Sequence, residues 1–217
     1  STVSENNYYL ARSYMNGRKY AEAVDILKKL VDENPGTNRY AMRLAHAYQS
    51  MNKVEETREV LSKIKTENNG RESVSMKIME GNLLLVENKP KMAMELFEAI
   101  EKEMPNAARV HMQLGRCYMA LKRWKKAEGA FLKELEHDPG NASAHHGLGI
   151  TLLRRKHYEE SIDCFLNAVG LTYFFPFAHY HLGEALYYLG EYERSAEAFE
   201  VCLKMAPGIN KARQLLS

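Results

Sequence analysis

Apolar residues in this chain recur in short helical bursts separated by polar turns, and the bursts fall on one fixed period. From Arg109 to Pro139 the key positions are Leu114, Gly115, Tyr118, Trp124, Ala127, Phe131 and Pro139. Thirty-four residues on they return as Leu148, Gly149, Leu152, Tyr158, Ser161 and Phe165, and again as Leu182, Gly183, Leu186, Tyr192, Ser195, Phe199 and Pro207. One period back stand Gly81, Leu84, Pro90, Ala93, Phe97 and Pro105, with Glu80 in the leucine slot. Two further copies lie two residues out of phase: Leu10, Ala11, Tyr14, Tyr20, Ala23, Leu27 and Pro35, then Leu44, Ala45, Tyr48, Val54, Thr57 and Leu61. Each copy predicts two helices and a turn. A unit so short cannot bury its own apolar stripe and must stack on its neighbours.

Turn chemistry sets the expected boundaries. Ser4 is an N-cap candidate for the first helix after a polar lead-in, and Asn16-Gly17 ends it, since both residues tolerate a left-handed stop. Asn34-Pro35-Gly36 turns the chain and Asn38 can cap the next helix; Asp138-Pro139-Gly140-Asn141 and Pro207-Gly208-Ile209-Asn210 repeat the device. The two-residue insertion lies in the polar stretch from Thr66 to Ser73, a longer inter-repeat loop. Pro90 belongs at the first turn of a second helix, where its missing N–H costs nothing. Gly170 to Phe177 forms an apolar connector, unusual for a segment expected to face water.

The stretch with Leu114, Gly115, Tyr118, Ala127, Phe131 and Pro139 resembles the tetratricopeptide repeat family, whose pattern is an aromatic, Leu-Gly, Tyr, Ala, an aromatic and a closing Pro. The resemblance covers roughly residues 4–209 and implies an all-α, right-handed superhelical solenoid of about six helix–turn–helix repeats. The repeats then run 4–37, 38–73, 74–107, 108–141, 142–175 and 176–209 in one domain of 1–217, with 210–217 starting a capping or truncated helix. Departures are Glu80, Thr57, Asn69 and Tyr173, which suggest local softness. Independently of the family, a Gly or Ala after the leucine lets the partner helix approach closely. The last two repeats also resemble arrays appended to bacterial phosphodiesterases of the alkaline-phosphatase superfamily. That likeness implies an accessory domain of a larger phosphohydrolase.

Composition narrows the chemistry. A net charge of +2 gives no bulk argument for nucleic acid or a membrane surface, and no apolar run approaches the roughly 18 residues of a spanning helix. Cys117, Cys164 and Cys202 have no C-x-x-C spacing, which reads as buried thiols and favours a reducing, cytoplasmic compartment. The chain starts at Ser1 without a methionine, as an excised fragment would. His111, His145 and His179 sit 34 apart in one packing slot, and the eight histidines show no i, i+4 ligand pair. No catalytic motif or phosphate-binding glycine loop occurs, so the reading is no enzyme, no cofactor and no metal.

In the family register, six positions per first helix face or rim a concave groove. Six of the thirteen arginines fall there and none of the seventeen lysines, where about two arginines would land by chance. Arg12, Arg39, Arg43, Arg109 and Arg116 could grip carboxylates through their planar forks, with Met42, Met112 and Met119 as adaptable apolar contacts and His46 and Asn82 on the same face. The alternative is that several of these arginines pair with second-helix acids or are simply solvated. The Lys-x-x-x-Asn that opens the two-carboxylate clamp of chaperone-binding relatives is absent: the first helix offers Tyr8 and Arg12. A second candidate is an aromatic patch in the last repeat: Tyr173, Phe174, Phe175, Phe177, Tyr180, Tyr187 and Tyr188. The function so read is a non-catalytic scaffold holding an extended, acidic peptide or a sister domain. The alternatives are the accessory domain and a homodimer joined through the last repeat.

Overall fold

The structure, a computed structural model, describes residues 2–67, 70–105, 107, 109–172 and 174–216. Among them are thirteen helices, taken in pairs as α1 (Thr2–Asn16) and α2 (Tyr20–Glu33), α3 (Asn38–Ser50) and α4 (Val54–Glu67), and α5 (Val74–Val86) and α6 (Pro90–Glu103). Then come α7 (Val110–Ala120) and α8 (Trp124–His137), α9 (Ala142–Arg154) and α10 (Tyr158–Leu171), α11 (Pro176–Leu189) and α12 (Tyr192–Met205), and a final α13 (Asn210–Leu216). Contacts divide the chain into two compact units, Ser1–Leu96 and Phe97–Ser217.

In the first unit, α2 packs against both α1 and α3, and one cluster of Tyr8, Ala11, Leu27, Leu30, Tyr40 and Leu44 fills the space between them. A second cluster of Ala45, Leu61, Ile64, Met76 and Leu83 continues under α4 and α5. Thr57 takes the alanine slot, fully buried, and its hydroxyl donates to the Lys53 carbonyl at 2.6 Å. In the second unit the same zigzag runs from α7 to α12. Phe131, Phe165 and Phe199 are wholly buried, and each ring lies against a glycine of the partner helix. A Cβ added at Gly115, Gly149 or Gly183 would stand 2.6, 2.6 or 2.7 Å from the facing ring. The close approach expected of the glycine slot is therefore a ring-on-backbone contact. Ser195, in the alanine slot, donates to the Gly183 carbonyl at 2.8 Å. Trp124, the only tryptophan, opens α8 half-buried. The α13 helix packs on α12, where Ala212 closes over Phe199 and Cys202.

Several local expectations are corrected. The lead-in is helical from Thr2, so Ser4 lies inside α1 and caps nothing. Asn38 is the first residue of α3, not its cap, whereas Asn141 does cap α9 by accepting from the Ala144 N–H at 3.1 Å. The insertion loop is shorter than expected, because α4 runs to Glu67; Asn68 and Asn69 lie outside the described residues, and Ser73 caps α5. Gly170 and Leu171 end α10 and Pro176 opens α11, which leaves only 172–175 between helices. The stop after α1 is made by Arg18, with φ 58°, and not by Asn16 or Gly17. Asn52, Asn88, Lys122, Lys156 and Gly190 hold the same left-handed position in the other five hairpins, with φ from 56° to 88°. Pro90 starts α6 as the sequence implies.

Candidate functional site

In the first unit polar contacts link the first helices side by side. Arg43 of α3 donates to the Tyr8 hydroxyl of α1 at 3.4 Å, and Gln49 of α3 donates to the Met79 carbonyl of α5 at 3.1 Å. Tyr8 is 5 % exposed, so its ring is a fixed floor. Three guanidiniums gather on it. Arg39 lies 4.4 Å from the ring centroid, Arg12 lies 6.0 Å from it, and Arg43 holds the hydroxyl. Arg39 also covers Tyr40 at 5.2 Å and Arg12 covers Tyr9 at 6.0 Å. Such cation–π contacts occupy the guanidinium face; Arg39 spends one N–H on the Tyr40 hydroxyl at 3.5 Å and Arg43 one on Tyr8, and the remaining N–H groups point away from the rings.

Among the described residues none of these three arginines makes an ion pair. The expectation that groove arginines pair with second-helix acids therefore fails at this cluster. Cations elsewhere do pair: Lys63 with Glu59 at 2.7 Å, Lys133 with Glu101 at 2.9 Å, and Lys65 with Glu72. Of the other residues singled out on this face, His46 is half-buried and engaged, and the buried Asn82 Oδ1 accepts no hydrogen bond. Glu80, in the leucine slot of α5, is held above the usual carboxylate range by burial and by neighbouring Glu72.

The second unit carries the remaining candidates. Arg109 lies just outside α7 in a left-handed conformation, φ 68°, and is exposed. Arg116 is exposed and donates to Gln113 at 2.9 Å, with Met112 and Met119 half-buried on the same helix. Arg154, also in the groove register, is tied to Glu184 at 3.3 Å. Sequence reasoning missed the pair His146 and His181, whose Nε2 and Nδ1 lie 3.0 Å apart. His181 Nδ1 is also 2.7 Å from the Phe177 carbonyl, so it carries the proton and His146 Nε2 accepts. Burial pushes both imidazoles down to about 4, and for His146 the neighbouring ring adds to the effect. The available signal was diagonal, one groove position offset between successive first helices.

The aromatic candidates do not form one patch. Phe175 and Tyr180 are half-buried against His146 and Phe199, at 4.7 and 5.9 Å between centroids. Phe174 and Phe177 stand 62 % and 56 % exposed near the start of α11; Tyr173 lies outside the described residues. At the far end of α11, Tyr188 stacks on Tyr158 at 5.5 Å, and Tyr187 meets Tyr192 edge-on at 5.5 Å. Tyr158 and Tyr192, which the patch omitted, were legible as 34-spaced residues opening second helices.

The 34-spaced histidines are packing groups: His111 is buried against Glu101 and stacked on His137, and His145 meets the Pro139 carbonyl at 3.0 Å. Burial pushes the Cys117 and Cys164 thiols up to about 12 and about 11, so neither is a ready nucleophile. Among the described residues no group of three His, Cys, Asp or Glu side chains is placed to hold a metal, and no helix is long and apolar enough to cross a membrane.

Residues 5–37, 84–132 and 176–209 each match a family model described as a tetratricopeptide repeat. Among solved structures, the type IV pilus biogenesis factor PilW is 17 % identical, with all of both chains covered and a TM-score of 0.79. A chain of the APC/C hetero-tetramer Cut9–Hcn1 is 14 % identical over 98 % of this chain and 42 % of its own, with a TM-score of 0.90. YrrB, described as having an unusual peptide-binding site, is 18 % identical over 87 % of this chain and 96 % of its own, with a TM-score of 0.61. At these identities the likeness is one of fold. No curated protein matches the chain.

Proposed function

Because the chain belongs to the tetratricopeptide repeat family, we propose that it is a non-catalytic scaffold whose first-helix faces hold an acidic segment of a partner protein. One observation carries this reading: Arg12, Arg39 and Arg43 converge on Tyr8 while no carboxylate of the described chain pairs with them. Gathering like charges is unfavourable in itself, and an incoming anion turns that cost into affinity. The peptide-binding site described for YrrB supports a peptide as the form the anion takes.

The test is fluorescence anisotropy with labelled acidic peptides, comparing the chain with Arg43→Glu and, separately, Arg116→Glu. A charge-assisted hydrogen bond is worth about 1.5–3 kcal/mol, so Arg43→Glu should weaken binding at least about tenfold. Unchanged affinity in both variants rejects the reading.

A second reading is favoured by the exposed rings at the end of α11. Tyr187, Tyr188 and Tyr192 are 45, 53 and 61 % exposed, and a second copy of the chain would cover them. Sizing over a hundredfold concentration range decides it, since a strictly monomeric result removes the homodimer.

A further inference from the structure

We propose that the arginine cluster on Tyr8 receives a phosphoryl group carried on a side chain of the bound peptide, a narrowing that rests on the acidic-peptide reading above. Charge and acceptor counts separate the two kinds of anion. A carboxylate offers two oxygens and one negative charge, which a single guanidinium fork can satisfy. A second and third guanidinium would find only the remaining lone pairs of the same two oxygens, and one negative charge would be left against three positive ones. A phosphoryl group offers three terminal oxygens and about −1.5 to −2 charges at neutral pH, so three arginines can each find a bond and most of the gathered charge is neutralised.

The local build agrees with that stoichiometry. Tyr8 and Tyr40 are both 5 % exposed, with centroids 5.4 Å apart, and form a rigid aromatic base. Arg39 lies across both rings, 4.4 Å from Tyr8 and 5.2 Å from Tyr40. Arg12 reaches Tyr8 from the next turn of α1, and Arg43 is anchored through the Tyr8 hydroxyl. Arg12 and Arg39 are exposed and Arg43 is half-buried, so their N–H edges are within reach of a ligand. Arg39 also donates to the Tyr40 hydroxyl at 3.5 Å, and among the described residues it makes no ion pair. Lysine in these positions would supply charge without the fork, and this face holds arginine throughout.

Phosphate has a titration that carboxylates lack, and the test uses it. Labelled twelve-residue acidic peptides carrying a central phosphoserine, glutamate or serine are titrated with the full chain at pH 7 and pH 5. The phosphoserine peptide should bind at least about tenfold tighter than the glutamate peptide at pH 7. That advantage should shrink at pH 5, because the second phosphate ionisation lies near 6, while the glutamate peptide changes little. Arg39→Gln and Arg43→Gln should bring the phosphoserine peptide down to the glutamate level, and Arg39→Lys should recover only part of the gain. Lys125→Gln, on α8, should leave it intact. Circular dichroism melts of each variant establish that it folds.

Equal binding of the phosphoserine and glutamate peptides overturns the proposal and leaves the acidic-peptide reading standing. Binding of neither overturns both. Inorganic phosphate that competes at the concentration of the phosphopeptide, or a single-stranded oligonucleotide that competes as well, also overturns it, since the site would then serve a free or diester phosphate.

Discussion

The two units solve one packing problem with different pairs of residues. In the first two hairpins of the first unit the small residue of the first helix is alanine, and its partner sixteen residues on is leucine: Ala11 with Leu27, and Ala45 with Leu61. In the second unit it is glycine and phenylalanine: Gly115 with Phe131, Gly149 with Phe165, and Gly183 with Phe199. A methyl group and a smaller side chain are exchanged for no methyl and a ring. The hairpin therefore specifies a summed volume across the interface and not an identity at either position, as expected where interiors are close-packed.

The largest effect should come from breaking one pair in the second unit. Phe165→Ala removes a wholly buried ring and should cost about 3–5 kcal/mol, read from denaturant unfolding. Gly149→Ala places a Cβ 2.6 Å from that ring and should cost about 1–3 kcal/mol. The double variant Gly149→Ala, Phe165→Leu rebuilds the first unit's pairing and should be more stable than the sum of its parts, by about 0.5–3 kcal/mol of coupling. Strict additivity would refute volume compensation.

Acid should separate the units next. His146 and His181 take protons only near 4 in the folded second unit, but near 6.5 when unfolded. The unfolded state therefore binds more protons between these values, so the pair's contribution is full above pH 6.5 and is lost as pH falls toward 4. At about 1.36 kcal/mol per unit, each imidazole held from 6.5 to about 4 accounts for about 3 kcal/mol, so a loss of several kcal/mol is expected for the pair by pH 4. Thermal melts of the second unit at pH 7, 5.5 and 4.5 should show the fall, and His146→Gln with His181→Gln should flatten it.

The first unit should respond in the opposite sense through Glu80. Its raised folded pKa means the ionised form is disfavoured by folding, so that cost disappears as pH drops through the raised value. Glu80→Leu restores the apolar slot and should raise stability by about 1 kcal/mol at pH 7, and less in acid. A variant that melts lower than its parent at pH 7 would contradict this account. The smallest effect belongs to the hairpin turns. Lys156→Gly relieves a side chain held at φ 65° and should gain about 0.5 kcal/mol, whereas Gly190 already has the permissive residue.

Stacking decides how much of the fold is legible in the sequence. A small residue, a bulky partner and a turn must recur wherever one hairpin meets the next, so the period and the helix pairs could be read directly. The left-handed turns could not, because Arg18, Lys122 and Lys156 are not residue types that advertise that conformation. Register placed Arg12, Arg39 and Arg43 on one face, but their convergence on Tyr8 depends on side-chain reach that periodicity does not encode. The supposed aromatic patch divided because α11 carries its rings at both ends, and a linear cluster of letters conceals the length of a helix.

The single indole at the start of α8 gives the molecule an uneven optical signature. Light absorbed by Trp124 reports on the Phe97–Ser217 unit, while the first unit is spectroscopically a tyrosine protein. Emission and ellipticity followed through one denaturation therefore observe different parts of the same chain. Whether those two curves superimpose reveals whether the halves come apart together or one after the other.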